Sequence, residues 1–254
     1  MDKLLIFNFI LLAIIALELW IIKKFVKKEL TKNIILIAAA AFTIIFHYSA
    51  FLFRLLSGGN AIEYLSQCPN LILPIYPCNV VMWSALIFAF LKNKNSRVGA
   101  FFADYLFWFG IISTLVGMFA NVDFIKNPTL ADYENIKSIG AHATLLFNIL
   151  LLPIFGHIKI DIKRNLTNIV ISIFEMASIG LYCNLVFHTL VSEEMAYEVN
   201  SMFLIHSPFD GLSFLTYPVI ALIAIPIYFV VFAICDIVAH KKGERFYEKI
   251  KKAK

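Results

Sequence analysis

Charge is what this sequence has least of. Asp, Glu, Lys and Arg make up only 15% of the chain, against 61% hydrophobic residues. With a mean hydropathy of +0.82, there is too little charge to coat a soluble domain. Cysteine is equally sparse. Cys68, Cys78, Cys183 and Cys235 stand apart with no Cys-x-x-Cys pair, which argues against a disulfide framework and a zinc knuckle. No polar stretch is long enough for a second, soluble domain, and no internal repeat is evident. What the chain does have is apolar runs, and they define an all-α polytopic membrane protein.

Seven runs are long enough to cross a bilayer, at about 4–22, 34–56, 71–91, 100–120, 139–158, 166–191 and 212–238, each near the roughly 20 residues that a spanning helix needs. The first lacks a small-x-small cleavage site and ends in Lys23 and Lys24, so it reads as a retained signal anchor. The basic residues set the orientation. All but Lys3, Arg54, Lys126 and Lys137 of the 22 lysines and arginines fall in the loops after spans 1, 3 and 5 or in the tail, and basic loops stay cytoplasmic. The N-terminus is therefore expected outside and the C-terminus inside.

The opposite loops are acidic, carrying Glu63, Asp123, Asp132, Glu134, Glu193, Glu194, Glu198 and Asp210. Those after spans 4 and 6 have room for a lid. Residues 1–239 form the seven-helix transmembrane domain, and residues 240–254 form a basic cytoplasmic tail. The tail reads either as solvated or as an interfacial helix with Phe246 and Ile250 among lysines. Anionic lipid is the expected partner of the basic loops and tail, nucleic acid is not, and the plasma membrane is the expected location.

An ionisable or polar residue inside the hydrocarbon needs a partner or a task. His47 and Arg54 share a face of span 2. Cys78 and Asn79 lie in span 3, about seven residues below its outer end, beside Pro74 and Pro77; His142 starts span 5; Asn184 and His188 are four apart on span 6. All fall in the outer half, so an outward-opening polar cavity is the economical explanation. Each also has a plainer reading: Cys78 as a small buried hydrophobe, His47 and His142 as interhelical hydrogen-bonders, Arg54 snorkelling to the interface, and the two prolines as a kink. Among the inner acids, Glu18, Asp104 and Asp236 sit near basic loops, whereas Glu175 is deeper.

The run Leu73-Pro74-Ile75-Tyr76-Pro77-Cys78-Asn79-Val80 resembles the central motif of the YwaF-type bacterial integral membrane proteins. Their animal relatives include a transmembrane acyltransferase acting on ether phospholipids. Gly140-Ala141-His142 is similar to the segment where that family carries a histidine. Asn200-Ser201-Met202-Phe203-Leu204 with Pro208 is similar to a family loop that has tyrosines where Ser201 and Phe203 stand here. The resemblance runs from about Leu73 to Tyr228. It implies acyl transfer between membrane phospholipids, with Cys78 as nucleophile and His142 as its partner.

Such transfer needs a thiolate, which burial disfavours, so a basic neighbour is required. His142, His47 or His188 can take the proton. Asn79 and Asn184, with Asn200 from the loop motif, are candidate oxyanion or substrate contacts, and Arg54 is a candidate for the lipid phosphate. No cofactor or metal is called for. Two other classes fit the same residues: a transporter or channel with a polar vestibule, and a metal-dependent lipid hydrolase using His47, His142 and His188.

Overall fold

The structure, a computed structural model, describes residues 2–119, 129–207 and 211–252. Asp123, Lys126, Pro208 and Asp210 lie outside the described residues. Among the described residues every regular element is helical. In chain order they are α1 (Asp2–Phe25), α2 (Glu29–Leu56), α3 (Ala61–Gln67), α4 (Pro77–Phe90), α5 (Arg97–Phe119), α6 (Tyr133–Ile154), α7 (Ile162–Leu190), α8 (Glu193–Val199), α9 (Tyr217–Ala239) and α10 (Phe246–Lys252). Six of these, α1, α2, α5, α6, α7 and α9, are long and apolar enough to cross a membrane, and α4 is a shorter apolar helix. The chain is an all-α, multi-pass membrane protein.

Helix starts follow the local chemistry. Side chains of Asn60, Ser96, Asp132, Asp161 and Ser192 each accept a hydrogen bond from a backbone N–H in the first turn that follows, satisfying donors that have no intrahelical partner.

The third span differs from the expected helix over 71–91. Only Pro77–Phe90 is a regular helix; Pro69–Leu71 is a single 3₁₀ turn, and residues 72–76 are irregular. Proline disfavours the helical conformation of the residue before it and is pre-shaped for a helix's first position. Tyr76 is accordingly extended (ψ 152°), and Pro77 opens α4 instead of kinking it. Irregular backbone survives at membrane depth only when protein covers it. Here the segment is covered in part, with Leu71 and Ile75 buried and Ile72 and Tyr76 exposed, and α2 holds its start: Tyr48 Oη donates to the Leu71 carbonyl at 3.0 Å, and His47 Nε2 lies 3.3 Å from the Asn70 carbonyl.

The chain divides into two compact units, Met1–His157 and Ile158–Lys254. In the first, α2 and α6 form the largest helix pair. Gly140 lets them approach, since a Cβ there would meet the Phe46 ring at 2.9 Å. Asparagines tie helices through backbone carbonyls: Asn148 Nδ2 of α6 donates to Leu36 O of α2 at 3.5 Å, and Asn8 Nδ2 of α1 to Met118 O of α5 at 2.6 Å.

At the end of this unit where α4 and α6 finish, Lys94 Nζ donates to the carbonyls of Ala89 and Leu91, both at 3.0 Å, and His157 packs edge-on to Phe88 with ring centroids 5.5 Å apart. The buried His157 Nε2 has no hydrogen-bond partner among the described residues. Burial, then the Lys94 charge, hold its imidazole below the ordinary 6.5, with Glu29 opposing and Lys32 adding to the effect. A depressed histidine leaves the unfolded chain binding more protons, so stability rises with pH. Thermal melts in detergent should show stability being lost as pH falls below 6.5, levelling off once folded His157 itself protonates. His157→Gln should flatten that slope, and an unchanged slope would remove His157 as a source.

In the second unit, Tyr217 Oη of α9 donates to Ile173 O of α7 at 2.7 Å. The buried Asp236 carboxylate holds the tail: one oxygen pairs with His240 Nδ1 at 2.9 Å, and the other accepts from Phe246 N at 2.8 Å, fixing the start of α10. Glu175 of α7 keeps one buried oxygen without a partner among the described residues.

Candidate active site

Helices α2, α4 and α6 line a cavity of about 30 Å³. His47, Cys78, Asn79 and His142 supply its polar groups, with Thr43, Met82, Ala141 and Leu145 around them. A void needs only about 10–15 Å³ to hold a water, so this one admits water but is far too small for an acyl chain. Any lipid chain must enter by displacing its walls.

Cys78 lies one residue inside α4 rather than seven residues down a longer helix, because the helix starts at Pro77. Cys78 sits at the helix end where negative charge is favoured, and the Asn79 N–H of the same turn donates to Tyr76 O at 3.0 Å. Asn79 closes the same turn, its Oδ1 accepting from Tyr76 N at 3.2 Å. That leaves its amide NH₂ as the donating end of a side chain on the cavity wall. The prolines, the cysteine and the asparagine are thus one local device that starts a helix at the cavity and aims a thiol and amide donors into it.

The two histidines differ in which nitrogen is available. His142 Nδ1 lies 2.7 Å from the Ser138 carbonyl; a carbonyl can only accept, so Nδ1 carries the proton and Nε2 the lone pair. The opposite holds for His47, whose Nε2 points to Asn70 O. The His142 ring lies directly against Gly117 of α5: a Cβ there would sit 2.1 Å from Nε2 and 2.2 Å from Cδ2. No hydrogen bond joins Cys78 to either histidine among the described residues, and the cavity between them has room for a water.

The other sequence candidates lie elsewhere. Arg54, exposed near the end of α2, has its guanidinium 4.4 Å above the Tyr64 ring. Asn184, His188 and Asn200 belong to the second unit. Asn184 is a clamp, accepting from Ser201 N at 2.8 Å and donating to Ser201 O at 3.3 Å. Asn200 adopts a left-handed conformation (φ 44°) and its side chain binds the backbone of Ile205 and His206. His188 is exposed. Among the described residues no three His, Cys, Asp or Glu side chains are grouped to hold a metal ion.

A family model described as the TMEM164 family matches residues 2–238. The chain belongs to the TMEM164 family. No curated protein and no solved structure matches it. The match covers every element of this TMEM164-family chain except α10 and the last residue of α9.

Sequence reasoning did not single out Thr43 on the cavity wall or Gly117 against the His142 ring. Thr43 carried a signal, four residues before His47 and so on the same helical face. Gly117 carried none that singles it out, because the need for a glycine there comes from a ring on another helix.

Proposed function

We propose that this membrane protein moves a fatty acyl chain between phospholipids through a thioester on Cys78. The observation that carries the reading is the placement of Cys78: at the first turn of α4, on a cavity it shares with an amide donor and a histidine whose Nε2 is unprotonated. In this reaction His142 Nε2 takes the thiol proton through a cavity water. The thiolate attacks the ester carbonyl of a donor lipid, and the oxyanion is met by the Asn79 amide and the orphan N–H of the helix start. His142 returns the proton to the departing lipid alkoxide, leaving a lysophospholipid and acyl-Cys78. A second lipid hydroxyl, deprotonated by His142, then takes the acyl group and restores the thiol. His47 positions the irregular segment 68–76 through Asn70.

On this reading the cavity opens to the outer side of the plasma membrane and the basic loops and tail lie against anionic lipid, an orientation that the bias of basic residues supports. The test is incubation of the purified protein with phospholipid, followed by peptide mass spectrometry. An acyl adduct on Cys78 supports the reading; an adduct confined to Cys68, Cys183 or Cys235, or none, overturns it. Flux of ions or solutes in liposomes that survives Cys78→Ala would favour a transporter instead.

A further inference from the structure

Above the cavity, at the end of α2, one buried tyrosine joins two cations. Tyr64 of α3 is only 3% exposed. Its hydroxyl donates to Glu134 Oε1 at 2.8 Å and accepts from Lys137 Nζ at 3.0 Å. Lys137, itself buried, is also paired with Glu134. The Arg54 guanidinium carbon lies over the ring, 4.4 Å from its centroid. Both Glu134 oxygens are therefore spent on Tyr64 and Lys137. Arg54 forms no ion pair among the described residues, and its side chain is exposed.

A cation held against an aromatic face keeps its outward edge for another partner. Arg54 presents a planar fork of donors, the shape that meets two oxygens of a phosphate at once. Lys137, paired with Glu134, offsets that carboxylate's charge beside the ring.

Depth points to the same ligand. The 28 residues of α2 run about 42 Å at 1.5 Å each, against roughly 30 Å of hydrocarbon, so its last turn stands in the headgroup layer. Arg54 is seven residues beyond His47, about 10 Å along the axis and on the same face.

We infer that Arg54, seated on Tyr64 and backed by Lys137, binds the phosphodiester of the lipid whose acyl ester reaches Cys78. This rests on the acyl-transfer reading for the identity of the ester, but the phosphate seat itself is measurable without turnover. The Tyr64–Glu134–Lys137 contacts hold the ring; Arg54 makes the contact with the ligand.

The experiment titrates the purified full chain calorimetrically with short-chain phosphatidylglycerol and, separately, with the diacylglycerol carrying the same chains. The protein should bind the phospholipid about tenfold or more tightly, the preference expected of a charge-assisted bidentate contact. Arg54→Gln should bring the two ligands to equal affinity with the diacylglycerol unchanged, and Arg54→Lys should keep part of the preference. Acylation of Cys78 is followed separately, on the unaltered protein, with a phosphate-free p-nitrophenyl ester.

An undiminished preference in Arg54→Gln overturns the seat. So does weakened binding of both ligands, which would mark Arg54 as structural. Competition by millimolar inorganic phosphate would assign the seat to free phosphate rather than lipid. If the preference holds while no ester acylates Cys78, the seat stands and the acyl-transfer reading falls.

Discussion

Cys78→Ser is expected to reduce acyl transfer to the no-protein background while leaving the melting temperature unchanged. Serine is close in size to cysteine, follows Pro77 equally well, and is itself a good residue for the first turn of a helix, so α4 still begins where it does. What changes is the nucleophile. The thiolate is the attacking species and is far more accessible than an alkoxide; a serine hydroxyl in a cavity of this kind stays protonated. Transfer is read by lipid mass spectrometry with a labelled acyl donor. Full transfer by Cys78→Ser would sink the nucleophile assignment, and a large drop in melting temperature would show that the sulfur is instead needed for packing.

Gly117→Ala should be nearly as damaging for a different reason. On helix propensity alone the change stabilises by about 1 kcal/mol. Geometry opposes it: the new methyl carbon would lie 2.1 Å from Nε2 of His142 and 2.7 Å from its Cε1, inside the contact distance of any two heavy atoms. The imidazole is tethered by its Nδ1 hydrogen bond to Ser138, so it must break that bond and swing away. Loss of a positioned base costs on the order of 10²–10⁴-fold in rate, and transfer should fall by that much. Because both substitutions remove the same Nε2, Gly117→Ala should cost little more in a His142→Ala background, a non-additivity typical of groups in contact. Equal losses in the two backgrounds, or full activity in Gly117→Ala, would take His142 out of the mechanism.

The spans were legible in the sequence because a nearly charge-free apolar run of about 20 residues is what a bilayer crossing requires and what a soluble fold rarely contains. Six of the seven are helices long enough to cross, and the third holds the shorter apolar helix α4. The start of α4 was not legible. Hydropathy counts Leu71 to Tyr76 as membrane although the backbone there is irregular, and Pro74 and Pro77 were the better guide. His47, Cys78, Asn79 and His142, which share a cavity, are four of the seven polar residues that depth reasoning puts in one layer once the orientation of successive spans is assumed. Depth cannot tell which face of a helix meets which neighbour. Asn184 and His188 were read as a pair on one helical face, yet Asn184 is spent on Ser201 and His188 is exposed. Tyr64, Glu134 and Lys137 come from separate segments, and nothing local in any one of them announces the others.

One turn of α5, Tyr105–Phe109, is wound wider than an α-helix, as a π-turn. Such a turn carries one residue more than its neighbours. Each residue advances a helix by about 100°, the consequence of 3.6 residues per turn, so the extra residue rotates everything after it. Gly110, which sits against Val81 and Ile149, and Gly117, which sits against His142, both face their partners in that rotated register. The wide turn is therefore a phase shift written into the backbone. A chain that lost one residue there would keep its hydropathy and its span, and would present a different side of α5 to the imidazole.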